Sequence, residues 1–164
     1  MRLKTGFALC FGFGFLFAQA VVFQNNFDRV SFYQVMDTGK LAEIDRQLEI
    51  VRNAPFPGDK GFEATLLMKK AGMVKAPASK LNLFKTGHRE LEELIKKDSS
   101  NTELRFLRLM IEENAPGLLG YKTDLEKDKL YICKHFKSLM PVIQQAVSRY
   151  SQKSKILSPT DLTL

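Results

Sequence analysis

Residues 90–110 read Glu90-Leu91-Glu92-Glu93-Leu94-Ile95-Lys96-Lys97-Asp98-Ser99-Ser100-Asn101-Thr102-Glu103-Leu104-Arg105-Phe106-Leu107-Arg108-Leu109-Met110, and this stretch decides the fold class. Leu91 and Ile95 continue a stripe that begins at Leu81, Phe84 and His88. Spacings of three and four place those side chains on one face of a helix. The outer face carries Glu92 with Lys96 and Glu93 with Lys97, acid before base at the favourable spacing of four. Asp98-Ser99-Ser100-Asn101 then breaks the pattern. Ser100 with Glu103 three residues on predicts a capping box, and Leu104, Leu107 and Ile111 face inward on a new helix. Phe106, Leu109 and Met110 widen its buried stripe. The stretch is a helix, a turn and a helix.

The same reading extends both ways. Upstream, Phe23, Phe27, Val30 and Tyr33 mark a first helix within 21–36, and Leu41, Ile44, Leu48 and Val51 mark a second. Asn53 to Gly58, with two prolines and a glycine, stops it. A third helix runs from Asp59 to Met73, with Gly61, Ala64 and Ala71 as small residues for close approach. Ser79 is the expected N-cap of the helix that follows. Downstream, Ala115-Pro116-Gly117 closes the central pair, and Thr123 with Glu126 predicts another capping box before a helix bearing Leu125, Ile132 and Phe136. Pro141 starts or kinks a last helix with Val142, Ala146 and Tyr150. Strand signals are nearly absent. The expectation is an all-α fold of antiparallel helix hairpins, either a tetratricopeptide-like right-handed stack or a small helical bundle.

The N-terminus reads as an export signal. Arg2 and Lys4 precede an uncharged run from Gly6 to Ala18, and Ala18-Gln19-Ala20 offers a small-x-small cleavage pattern. That run is shorter than the roughly 20 residues a membrane-spanning helix needs. Residues 1–20 are therefore expected to leave as a signal peptide, with Ala18 and Ala20 at the cleavage site. A single domain over 21–150 and a polar, frayed tail over 151–164 follow. The expected location is the periplasm or outside the cell, with no stable membrane insertion after cleavage. Cleavage would take Arg2 and Lys4 from the formal charge of +7 and leave +5. The basic residues are scattered among acids, a solvated helical surface with no nucleic-acid partner implied. Only Cys133 would remain, so the fold must rest on packing; beside Ile132 and Phe136 the thiol reads as buried, with a reactive thiol or an intermolecular bridge as the alternative.

Two resemblances can be read from the residues quoted. The turn at Asp98 to Asn101, flanked by leucines, resembles the junction between tetratricopeptide repeats, although no second clear copy is present. A longer match runs over 77–132. It comprises Pro77-x-Ser79-Lys80-Leu81-x-x-Phe84-x-x-Gly87, Glu103-Leu104-Arg105-Phe106-Leu107-Arg108, Asn114-Ala115-Pro116, Leu119-Gly120-Tyr121 and Glu126-x-Asp128-Lys129. These residues resemble a family of uncharacterised exported α-helical proteins common in Bacteroidetes. The resemblance implies export and a helical, repeat-like fold; it implies no activity, cofactor or catalytic residue.

Candidate functional residues are correspondingly few. Arg105 and Arg108 share a helix face, as do Asp124 and Asp128 on the next helix. They either pair across the intervening turn or form a partner or ligand site in which the arginines grip a carboxylate. Tyr121 joins them as an apolar contact, tucked between helices or offered to a partner. His88, Cys133 and His135 are the soft metal ligands of the mature chain, and their spacing suggests no zinc site. Acidic pairs such as Glu92-Glu93 and Glu112-Glu113 read as solvated surface. Neither a nucleophile elbow nor a phosphate loop is present. The expectation is an exported interaction or scaffold module that binds protein or peptide, with no catalytic residues, metal or cofactor. The alternative is a small-ligand binder or enzyme using Arg105 and Arg108.

Overall fold

Helix breakers and apolar periodicity divide the chain into the elements seen in a computed structural model, which describes residues 27–53, 58–117 and 120–163. The helices are α1 Arg29–Thr38, α2 Leu41–Asn53, α3 Asp59–Ala71, α4 Pro77–Lys97, α5 Thr102–Asn114, α6 Leu125–His135 and α7 Pro141–Ser151. No strand occurs among the described residues, and none of their helices is long and apolar enough to cross a membrane. The fold is all-α, a small helical bundle. The export segment and its cleavage residues, Ala18 and Ala20, lie outside the described residues.

α3 is the centre. Eight consecutive positions from Gly61 to Met68 are buried, as expected of a helix covered on every side. Small residues make that possible. A Cβ on Gly87 of α4 would lie 2.4 Å from the Ala64 carbonyl oxygen and 2.9 Å from Met68 Cγ. One on Gly61 would lie 2.5 Å from Leu104 Cδ2 of α5. The contacts also give directions. Gly61 lies near Leu94 while Gly87 lies on Ala64, so α3 and α4 are antiparallel. Arg52–Glu63 and Lys70–Asp45 make α2 antiparallel to α3 in the same way. α1 returns to α7, where Asp37 pairs with Lys153, so the ends of the bundle meet.

An aromatic cluster fills the space around α1, α3, α5 and α7. Phe32 stands edge-on to Phe62 at 4.8 Å, Tyr33 lies 5.8 Å from Phe106, and Phe106 stands edge-on to Tyr150 at 5.7 Å. Phe32 and Phe106 are fully buried. Burial of one such side chain stabilises the fold by about 1.5–3 kcal/mol.

The helix starts differ from those expected. α4 begins with Pro77 at its first turn and Ala76 as N-cap, three residues ahead of Ser79, because proline lacks only an N–H that would be unpaired there. α5 is capped by Asn101, whose Oδ1 accepts from Leu104 N at 3.1 Å. Ser100 instead donates to Asp98, and Glu103 accepts from Arg29 and Tyr33. α6 follows Asp124 with no side-chain cap, and Thr123 donates to Asp124.

The C-terminal segment overturns the expected frayed tail and the boundary at 150. Leu157 is fully buried and Leu162 is 8 % exposed. Ser158 and Asp161 form a capping box around a short 3₁₀ turn, and Lys129 reaches Asp161 at 3.0 Å. Polar composition pointed to fraying, but two leucines five apart dock once the backbone between them has partners.

Candidate functional site

The face of α5 that bears Arg105 and Arg108 looks into a seam between α4 and α6. Helical geometry brings positions 105, 108 and 112 to one side, at spacings of three and four. On α6 the same side carries Asp124 and Asp128; on α4 it carries His88 and Glu92, also four apart. α5 runs antiparallel to both neighbours, since Arg108 meets Glu92 while Glu112 meets His88, and Arg105 meets Asp128 while Arg108 also nears Asp124.

Asp128 is the hub, with its side chain fully buried. Its Oδ1 accepts from Arg105 Nη1 at 2.9 Å and Arg108 Nη2 at 2.7 Å, and its Oδ2 accepts from Arg108 Nε at 2.7 Å. Arg108 Nη1 donates to both oxygens of Glu92, at 2.8 and 3.0 Å. Arg105 gives its Nε and Nη2 to the Ser99 carbonyl at 3.0 and 2.8 Å and lies 4.4 Å over the Tyr131 ring. Asp124 stands 3.6 Å from Arg108 Nη2. Burial works against the charge of Arg108, but the hydrogen bonds it donates to Asp128 and Glu92 outweigh it and raise its pKa further. Charges taken from water this way need such saturation to be tolerated.

Tyr121 occupies the other end of the seam, half-buried, with its ring 4.4 Å from His88 and 4.9 Å from Phe84. Beneath it His88 Nε2 lies 3.3 Å from Glu112 Oε1. Glu112 is 2 % exposed, and its Oε2 is buried without a hydrogen-bond partner. Burial raises its pKa above the ordinary carboxylate value, and the His88 hydrogen bond offsets only part of that. One donor atom from each of His88, Glu92 and Glu112 falls within 4.8 Å of the others, so these three could hold a cation.

The structure thus gathers Arg105, Arg108, Asp124 and Asp128 into one cluster and sets Tyr121 beside it. Glu92 and Glu112, read from sequence as solvated, belong to the same seam. The signal was there: Glu112 is four residues after Arg108, on the face already assigned to the arginines. Glu113 is likewise drawn in, accepting from Tyr150, Ser154 and the Lys155 backbone on the opposite side of α5. Cys133 is half-buried against the core, and burial pushes its thiol pKa up, away from a reactive thiolate.

A cleft where α1 meets α7 has a volume of about 40 Å³ and is lined by Tyr33, Met36, Met110, Ala146 and Tyr150, among others. That is room for only a few waters, whereas sites for small molecules run to about 300–1,000 Å³. Compared with protein-family models, curated proteins and solved structures, the chain matches none.

Proposed function

We propose that this chain acts as an exported interaction or scaffold module of a bacterial envelope. Its helix hairpins are tetratricopeptide-like, and its kin are the exported helical proteins that residues 77–132 resemble. The observation that carries the reading is where the charges go. Arg105 and Arg108 are 6 % and 4 % exposed, and every donor direction described for them ends on Asp128, Glu92 or Ser99. The polar interior stiffens the frame. Leu81, Leu130 and Met140, at 44, 67 and 47 % exposed, remain at the surface for a protein or peptide partner. A small-ligand binder or enzyme working through the arginines is the weaker reading, because a ligand carboxylate would have to displace the three hydrogen bonds of Asp128.

Photo-crosslinking residues placed singly at Leu81, Leu130 and Met140 in cells of the source organism test the reading. Discrete adducts with a partner protein are expected at one or more positions; adducts at none would overturn it. Mass spectrometry of the protein from the periplasmic and medium fractions is expected to find Val21 at the N-terminus. An intact Met1 confined to the cytoplasm would overturn export.

A further inference from the structure

We propose that His88, Glu92 and Glu112 form a binding site for a divalent transition-metal cation, Zn²⁺ by donor type. Three independent observations converge on it, and none depends on the scaffold reading.

The first is geometry. His88 and Glu92 lie one turn apart on α4, and Glu112 faces them from α5. One donor atom from each lies within 4.8 Å of the others. His88 Nε2 and Glu112 Oε1 are 3.3 Å apart. A tetrahedral zinc with arms of about 2.0–2.1 Å separates its ligands by about 3.3–3.4 Å, so that pair already has the right spacing. Glu92 accepts from Arg108 Nη1 through both oxygens, and each carboxylate oxygen keeps a further lone pair for a cation.

The second is the unpartnered oxygen. Glu112 Oε2 is buried with no hydrogen-bond partner, on a side chain only 3 % exposed. An orphaned buried carboxylate oxygen is costly, and a cation gripped by both Glu112 oxygens satisfies it.

The third is charge. With its carboxylates ionised, the seam sets Glu92, Glu112, Asp124 and Asp128 against Arg105, Arg108 and the Lys127 beside Asp124, an excess of one negative charge. A bound cation offsets that excess. Asp128 holds two nitrogens of Arg108 at 2.7 Å, so only its Nη1 shares Glu92 with the ion. The donor set selects the ion: an imidazole with two carboxylates suits zinc-like metals, while Mg²⁺ and Ca²⁺ favour all-oxygen sites. Phe84 and Tyr121 pack on the imidazole and shield the site, as an apolar surround does around metal centres.

The test uses protein purified from cells expressing the full sequence and stripped of metal with a chelator. Zn²⁺ is titrated in competition with a chromogenic chelator, and thermal unfolding is followed with and without the ion. One equivalent is expected to bind, with a rise in the unfolding temperature. Glu112→Gln, near-isosteric and so expected to fold, and His88→Gln should each weaken binding by roughly 100-fold or more, since outer-shell changes alone cost about 10–100-fold. Both should lose the thermal shift. Cys133→Ser and His135→Ala should bind as the parent does. Absence of stoichiometric binding, binding undiminished in Glu112→Gln and His88→Gln, or binding lost in Cys133→Ser would each overturn the site.

Discussion

Glu112 and Glu113 are neighbours in sequence and near opposites in the structure. Glu112 turns toward α4, meets His88 alone, and keeps one oxygen without a partner. Glu113 turns toward α7, where Tyr150 Oη, Ser154 Oγ and the Lys155 backbone N–H donate to it at 2.6, 2.7 and 2.5 Å. Burial pushes both carboxyls toward higher pKa. For Glu112 it prevails, whereas for Glu113 the hydrogen bonds outweigh it and the pKa falls below the ordinary value. The two sides of α5 teach that burial alone does not decide a carboxylate's fate. The number of donors aimed at it does.

The largest expected effect comes from removing the hub on the α4–α6 side. Asp128→Ala leaves Arg105 and Arg108 buried without their shared anion and should cost about 3–5 kcal/mol in urea unfolding. In a double-mutant cycle with Arg105→Ala, a coupling of about 0.5–3 kcal/mol is expected for groups in direct contact. Zero coupling would show that the pair does not act as a unit.

The other side of α5 should respond less. Glu113→Ala removes the acceptor for three donors and should cost about 1–3 kcal/mol. Amide exchange should then accelerate over 151–163, because Glu113 ties that segment to α5. Unchanged exchange there would break the comparison.

Smaller again is Arg105→Lys. An ammonium cannot reach both the Ser99 carbonyl and Asp128 as the guanidinium fork does, so a loss of about 1 kcal/mol is expected. A variant as stable as the parent would show the fork to be dispensable.

The smallest effect should have the opposite sign. The folded pKa of Glu112 is raised, so its contribution to stability is fully present below the ordinary value of 4.5 and lost as pH rises through the folded value. For metal-free protein at neutral pH, Glu112→Gln should therefore raise the unfolding temperature, with the gain fading below that value. Glu113 behaves the other way: its contribution is present above 4.5 and lost as pH falls through its lowered folded pKa. Glu113→Gln should thus destabilise at neutral pH and converge with the parent in acid. Parallel pH profiles for the two variants would contradict the opposite environments described.

Much of the fold was legible in the chain, and much of the site was not. The stripe from Leu81 to Ile95, the break at Asp98 to Asn101 and the proline stops predicted helices that the structure contains. They are local signals, set by side-chain periodicity and by backbone groups a few residues apart. The caps were less legible, since Ser100 and Asn101 are both competent and Glu103, needed for the box, is taken by Arg29 and Tyr33. The tail was misread for a similar reason: Leu157 and Leu162 look isolated until Glu113 and Lys129 anchor the chain around them.

By itself the sequence determined the all-α class, the breaks between helices and the shared faces of Arg105 with Arg108 and of Asp124 with Asp128. Only the tertiary structure decided that Glu92 and Glu112 turn inward, that Glu113 serves the C-terminal segment, and that α1 meets α7. Helical periodicity says which residues share a face. Which face meets which depends on how helices rotate and slide against one another, as where α4 closes on α3 at Gly87 and Ala64.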